Sequence, residues 1–142
     1  MHPDQDTIVD ISGNMERFFG CSGKMLKPCA ASVAALVKKI PEHQLATTDA
    51  LRRHLAARFE VQVTCPSDFK QALLAVAGGP GGDVPYWRVV KQNGELISRF
   101  PGGAAAQAER LRQEGFTIDT GGKKTRVVHF KQNLVQFDPD QE

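Results

Sequence analysis

Between Pro28 and Pro41 the apolar residues Val33, Leu36, Val37 and Ile40 recur at three- and four-residue spacing, which predicts one buried helical face. Pro28 suits a first helical turn, where its missing N–H costs nothing, and Pro41 ends the segment. The same period returns in "ATTDALRRHLAARF" (46–59), where Leu51, Leu55 and Phe59 make the apolar stripe. Thr47 or Thr48 can cap this helix, and Asp49 suits its first turn. Arg52, Arg53 and Arg58 fall largely off the stripe. "EVQVT" (60–64) alternates and fits either a short strand or an extended connector. A third helix, "CPSDFKQALLAVA" (65–77), opens on Pro66 and Ser67, with Phe69, Leu73 and Val76 (or Leu74) on its apolar side.

The rhythm changes after the glycine run "GGPGGD" (78–83), which reads as a flexible loop. "YWRVV" and "ELISRF" flank "KQNG", and Asn93-Gly94 favours the mirror-image turn that matches strand twist, so a hairpin is predicted. "PGGAAAQAERLRQEG" (101–115) predicts a fourth helix, started by Gly103, lined by Ala104, Ala108 and Leu111, and stopped by Gly115. Beyond the basic loop "DTGGKKT", "VVHFKQNLVQF" predicts a last helix with Phe130, Leu134 and Phe137 inward, although "TRVVHF" alone also fits a strand. Residues 1–27 read as irregular: "TIVDI" fits a short strand, and "GNMERFFGCSGKM" reads as loop with Phe18 and Phe19 as anchors onto the core. No repeat and no internal boundary stands out. The expected fold class is α+β, mostly α, in one domain with a short β-hairpin.

The chain has 142 residues, which suits one core. No apolar run approaches the roughly 20 residues needed to span a bilayer, so no membrane association is expected. The start, "MHPDQDTIVD", lacks the features of a secretory signal, and the expected location is cytoplasmic. Three cysteines at irregular spacing (Cys21, Cys29, Cys65) argue against a disulfide framework. Neither they nor His2, His43, His54 and His129 show metal-ligand spacing, so no metal and no cofactor are expected. Residues 28–131 hold 15 Lys or Arg against 9 Asp or Glu, flanked by acidic ends. A basic body permits a polyanionic partner, and equally fits an ordinary solvated surface.

Two helices on a short connector, the second opened by Pro-Ser and followed by a hairpin, fit a winged-helix-like helix-turn-helix, whose second helix meets a nucleic-acid groove. Simple packing also produces paired helices in small domains. "GGPGGD" and "TGGKKT" lack the phosphate-loop pattern. Lys123, Lys124 and Arg126 can touch a backbone phosphate or simply lie in water. Cys65 opens a helix, where the dipole can activate a thiol, yet no histidine neighbours it in sequence. Glu114, near a helix C-terminus, opposes the dipole at a small cost that sometimes marks a specific partner.

Taken in order, these pieces resemble the DNA-binding domain of the alkylguanine-DNA alkyltransferases and their inactive alkyltransferase-like relatives, over about residues 30–116. "VKKIPEHQLATTDALRRHL" is similar to the family's helix, Ile-Pro, and entry into the helix-turn-helix. "CPSDFKQAL" resembles the Asn-Pro start of the recognition helix, with Cys65 in place of the Asn. "VPYWRVVKQNGELI" resembles the active-site segment Pro-Cys-His-Arg-Val with its following turn. "FPGGAAAQAERLRQEG" resembles the Gly-Gly loop, helix and terminal Glu-Gly. The resemblance divides the chain into an irregular segment (1–27), the domain (28–116) and a C-terminal extension (117–142), the last similar to one in a bacterial subgroup sharing "PYWRV".

The departures decide the expected function. The resemblance places Tyr86 at the cysteine that accepts the alkyl group from guanine O6, and Trp87 at the neighbouring histidine; only the glutamate remains, as Glu114. A phenol is a poor nucleophile beside a thiolate at neutral pH, and an indole nitrogen only donates. Alkyl transfer is therefore not expected, and Cys65 maps to the recognition helix rather than the pocket. The alkyltransferase-like relatives also lack the cysteine, commonly with Trp in its place, yet bind and flip alkylated guanine and hand the lesion to other repair machinery.

By the same resemblance the expected pocket comprises Tyr86, Trp87, Arg88, Glu114, Pro101, Gly102 and Gly103. Tyr86 and Trp87 either line a base-receiving pocket or fill the vacated one as core. Among DNA-handling positions, Lys70 matches the arginine inserted into the base stack, and Thr48 matches the tyrosine that rotates the target phosphate. Glycines near Gly78 replace an asparagine hinge. Ser67 lies in the first turn of the recognition helix, and Arg52, Arg53 and Arg99 are phosphate contacts by charge alone. The expectation is a monomeric, non-enzymatic DNA-binding protein recognising alkylated guanine in duplex DNA, with a repair protein as a second partner. The alternatives are a lesion-independent DNA or RNA binder, or a protein-interaction module, on the same scaffold.

Overall fold

A computed structural model describes residues 6–20, 22–78, 84–121 and 125–135, and for Phe18 and Phe19 the backbone alone. Phe137, Lys123, Lys124 and most of the 78–83 glycine run lie outside the described residues. Among the described residues, five helices and small sheets make a mixed α/β fold. The helices are α1 (Gly13–Phe19), α2 (Ala30–Val37), α3 (Thr48–Arg58), α4 (Pro66–Ala77) and α5 (Gly103–Gln113).

The four helices expected from the apolar period form, although α2 is shorter than expected: Cys29 is its N-cap, so Pro28 lies before it, and it ends at Val37 rather than at Pro41. Thr47 is the cap of α3, its hydroxyl accepting from Ala50 N–H at 3.1 Å. Pro66 opens α4, which buries Phe69, Ala72, Leu73 and Ala77. The start of α2 is capped from a distance. Asp6 accepts from Cys29 N–H (2.9 Å) and from the Ser32 hydroxyl (2.6 Å).

The segment 1–27, read from sequence as irregular, carries two strands and a helix within its described part. Strands β1 (Thr7–Asp10) and β2 (Lys24–Lys27) pair antiparallel, and β2 pairs parallel with β4 (Val63–Thr64). Within "GNMERFFGCSGKM", expected as loop, the described residues include α1 and the start of β2. Ser12 caps α1, and Gly20 ends it in the left-handed region at φ 73°. A second sheet pairs β3 (Ala46–Thr47) parallel with β5 (Val89–Val90).

The expected hairpin is reduced to a turn. Gly94 N–H donates to Lys91 O, and Lys91 N–H donates to Glu95 O, both at 2.9 Å, but no ladder follows. Gly94 alone has positive φ (86°), so the turn is not the mirror-image type. The ladder stops because a side-chain amide occupies the gap. Gln107, 2% exposed, accepts from Ile97 N–H at 2.7 Å. Its amide donates to Trp87 O (3.0 Å) and Val89 O (2.8 Å). The outgoing arm then turns to the C-terminal segment, where Leu96 N–H donates to Thr125 O at 2.9 Å.

The expected last helix is also replaced. β6 (Ile118–Asp119) and β7 (Arg126–Val127) form an antiparallel pair. A 3-10 turn over Phe130–Asn133 follows, and Leu134 bridges to Leu45. Backbone bonds from this strap to Leu45, Gly94 and Thr117 account for the loss of helix, since they use groups that a helix would pair internally.

The core has two main clusters. One gathers Leu26, Val33, Leu36, Val37, Ile40, Leu51, Leu55, Phe69, Leu73, Val89, Ile97 and Phe100. The other gathers Leu45, Val90, Leu96, Ala108, Leu111, Phe116 and Val127. Successive residues Val89 and Val90 point into different clusters, as strand alternation requires. No helix among the described residues is long and apolar enough to cross a membrane.

Gln107→Leu should destabilise the protein by about 3 kcal/mol or more, because three backbone groups lose their partner and each buried orphan costs roughly 1–3 kcal/mol. Urea denaturation of the two proteins measures the difference.

Candidate nucleic-acid interface

Tyr86, Trp87 and Arg88 form one 3-10 turn leading into β5. The turn sits between the two core clusters: Tyr86 packs against the first and Trp87 against the second. The Tyr86 ring meets Trp87 edge-on at 5.4 Å and Phe100 edge-on at 5.0 Å, arrangements favoured by the ring quadrupoles. Phe100 leads directly into Pro101–Gly103 and the start of α5, so the expected pocket residues on the two segments are brought together. At Gly102, φ is 81° and an added Cβ would collide with Ala106. Only glycine fits there.

Glu114 closes the arrangement from the far end of α5. Its carboxylate accepts from the Trp87 indole N–H at 2.6 Å and from Arg88 Nε at 3.0 and 3.1 Å. Both charged side chains are shielded, at 15% exposure for Arg88 and 9% for Glu114. A second Arg88 nitrogen donates to Ile40 O at 2.8 Å, reaching the end of the α2 segment. His43, held at φ 71°, donates its backbone N–H to the Glu114 carboxylate (3.2 Å) and its Nδ1–H to the Glu114 carbonyl (2.6 Å). Arg110 lies over the Trp87 ring at 4.5 Å, within cation–π range. Trp87 is thus fixed on its edge and on its face.

A separate groove runs beside α4. It holds about 350 Å³ and is lined by Thr48, Arg52, Pro66, Phe69, Lys70, Leu73, Leu74, Lys91 and Ile97. Three cations from three segments rim an apolar floor, with no carboxylate among the lining residues. On the outer side of α3 a second groove of about 570 Å³ includes Arg52 again, with Arg53 and Asp49. Asp49 pairs with Arg53 at 3.1 Å and with Arg52 at 3.7 Å. Arg52 Nε itself is buried, without a hydrogen-bond partner among the described residues.

The expected DNA-contacting set is divided by this geometry. Thr48, Arg52 and Lys70 share the α4 groove, and Arg53 lines the outer one. Ser67 is exposed, with its hydroxyl 3.4 Å from Cys65 Sγ, and Arg99 is exposed; neither lines either groove. Sequence reasoning missed Lys91, Phe100, Gln107, Arg110 and His43. Gln107 left a signal, since it sits on the same helical stripe as Ala104, Ala108 and Leu111. Among the described residues no group of His, Cys, Asp and Glu is placed to hold a metal.

Glu114→Ala should destabilise the protein by about 3–5 kcal/mol, the cost of leaving one buried charge unpaired, and Glu114→Gln by less. Because Trp87 is the chain's one tryptophan, intrinsic fluorescence reports the site directly. Its emission should shift red in the Ala variant before global unfolding.

No protein-family model and no curated protein matches the chain. Among solved structures, S. pombe Atl1 in complex with damaged DNA containing O6-carboxymethylguanine is similar. Its TM-score is 0.59 at 22% identity, covering 75% of this chain and 94% of that one. S. pombe ATL in complex with DNA is similar to the same extent, with TM-score 0.59, 21% identity and the same coverage. The fold of this chain is therefore similar to that of these two DNA-bound proteins.

Proposed function

We propose that this chain is a non-enzymatic alkyltransferase-like protein that binds duplex DNA and recognises alkylated guanine, receiving the base out of the stack. The observation that carries DNA binding is the α4 groove. Arg52, Lys70 and Lys91 surround an apolar floor, with no carboxylate among the lining residues. Phosphate oxygens are acceptors of the matching charge. In this reading α3 and α4 act as the helix-turn-helix pair.

The extension to alkylated guanine draws on the likeness to Atl1, solved with damaged DNA. In the same reading no alkyl group is taken. Tyr86 and Trp87 stand at the seats of thiol and imidazole. Of the described cysteines, Cys65 is buried at the start of α4 and Cys29 at the start of α2, both outside the aromatic turn. Tyr86 and Trp87 are each only partly buried, and base recognition in this reading uses aromatic surface of that turn.

Gel-shift titrations on matched duplexes with guanine or O6-methylguanine test the proposal. Binding should be about tenfold or more tighter to the lesion, equivalent to a difference of roughly 1.4 kcal/mol, and should weaken steeply with salt. Intact mass after incubation should show no added methyl. Equal affinity for both duplexes would remove lesion recognition, and a methylated chain would remove the non-enzymatic reading.

A further inference from the structure

The C-terminal strap continues the α4 groove rather than lying apart from it. Lys91 lines that groove and also a second, shallower concavity of about 700 Å³, formed by Lys91, Gln92, Asn93, Glu95, Phe130 and Lys131. The far wall of this concavity belongs to the strap, and its position is fixed by backbone bonds. Val127 N–H donates to Gly94 O (3.0 Å), Leu45 N–H to Asn133 O (2.8 Å) and Val135 N–H to Leu45 O (2.8 Å). The Phe130 ring packs on Gly94 so closely that an added Cβ would collide with it. Lys131 is exposed beside that ring, on a short 3-10 turn rather than a free tail.

The charge of this second concavity favours an anion. Its acid, Glu95, is directed inward: the side chain is 14% exposed and its carboxylate accepts from the Asn93 amide at 2.6 Å. Lys91 stands 4.0 Å from that carboxylate, at the limit of an ion pair, and is itself half exposed. Lys70, Lys91 and Lys131 therefore mark a track across three segments that are far apart in sequence. Lysine ammonium groups act as point charges on phosphate and carry no base specificity.

We infer that the strap is a second DNA contact: the phosphodiester backbone of a bound duplex runs from Lys70 over Lys91 to Lys131, beyond the recognised base. The inference rests on the DNA-binding reading above. Each lost phosphate contact lowers the slope of log affinity against log salt by about 0.9 for duplex DNA. The test compares the full chain with Lys91→Ala, Lys131→Ala, the double variant, and Lys39→Ala as an exposed control on the α2 side.

On a duplex longer than the α4 groove can cover, each single variant should lose about one unit of slope and roughly three- to tenfold in affinity. The double variant should lose about twice that slope, and Lys39→Ala should match the parent. On a duplex ending at the α4 groove, Lys131→Ala should bind like the parent. If the parent binds DNA and Lys131→Ala keeps its full affinity and slope on the long duplex, this inference is wrong while the DNA-binding reading stands. If Lys131 instead serves an acidic peptide, the same outcome appears. A parent that binds no duplex overturns both.

Discussion

A single carboxylate near the end of α5 holds the candidate site together. Glu114 accepts from the Trp87 indole, the Arg88 guanidinium and the His43 backbone, and through Arg88 it reaches the carbonyl of Ile40. Three stretches distant in sequence are thereby joined at one shielded point. The residue also stands where a helix dipole disfavours negative charge. That small cost is offset because a nearly buried guanidinium needs a counter-ion more than the helix end needs a neutral residue. With the carboxylate in place, Trp87 is held by its N–H, Arg110 covers its face, and Tyr86 inherits a fixed position through the backbone of the same turn.

Gln107 does comparable work one layer deeper. Its amide satisfies backbone groups of the turn and of the segment after Gly94. It thereby links β5 to the entrance of α5 without a second strand. The chain gives up a hairpin ladder and gains a rigid junction at which Phe100 meets Tyr86. The adjacent aromatics are thus a corner piece between two hydrophobic clusters, with one ring serving each.

The helices were legible because amphipathic spacing is a local signal. Val33, Leu36 and Val37, or Leu51 and Leu55, announce a buried face without knowledge of what covers it. The unread parts depend on distant partners. β2 is four residues long and has meaning only beside Thr7–Asp10 and Val63–Thr64. The strap was misread as helix because the spacing of Phe130 and Leu134 fits one; what prevents it is pairing with Leu45, Gly94 and Thr117. Tyr86, Trp87, Arg88 and Glu114 were legible through family resemblance, and the structure draws them together. Lys91 was not, because on a turn its charge gives no sign of the groove that α4 places beside it.

The chemistry around Glu114 bears on the proposal of binding without transfer. Every group aimed at this carboxylate is a donor: an indole N–H, a guanidinium and a backbone N–H. None of them accepts a proton at neutral pH. A relay that activates a nucleophile needs a member that alternates between accepting and donating, as an imidazole does. The Trp87 indole anchors to Glu114 by its N–H and has no capacity to pass a proton. The Trp87 ring also packs against the second cluster and under the Arg110 cation. In the proposed reading the aromatic turn is a fixed corner, and the α4 groove supplies the positive charge.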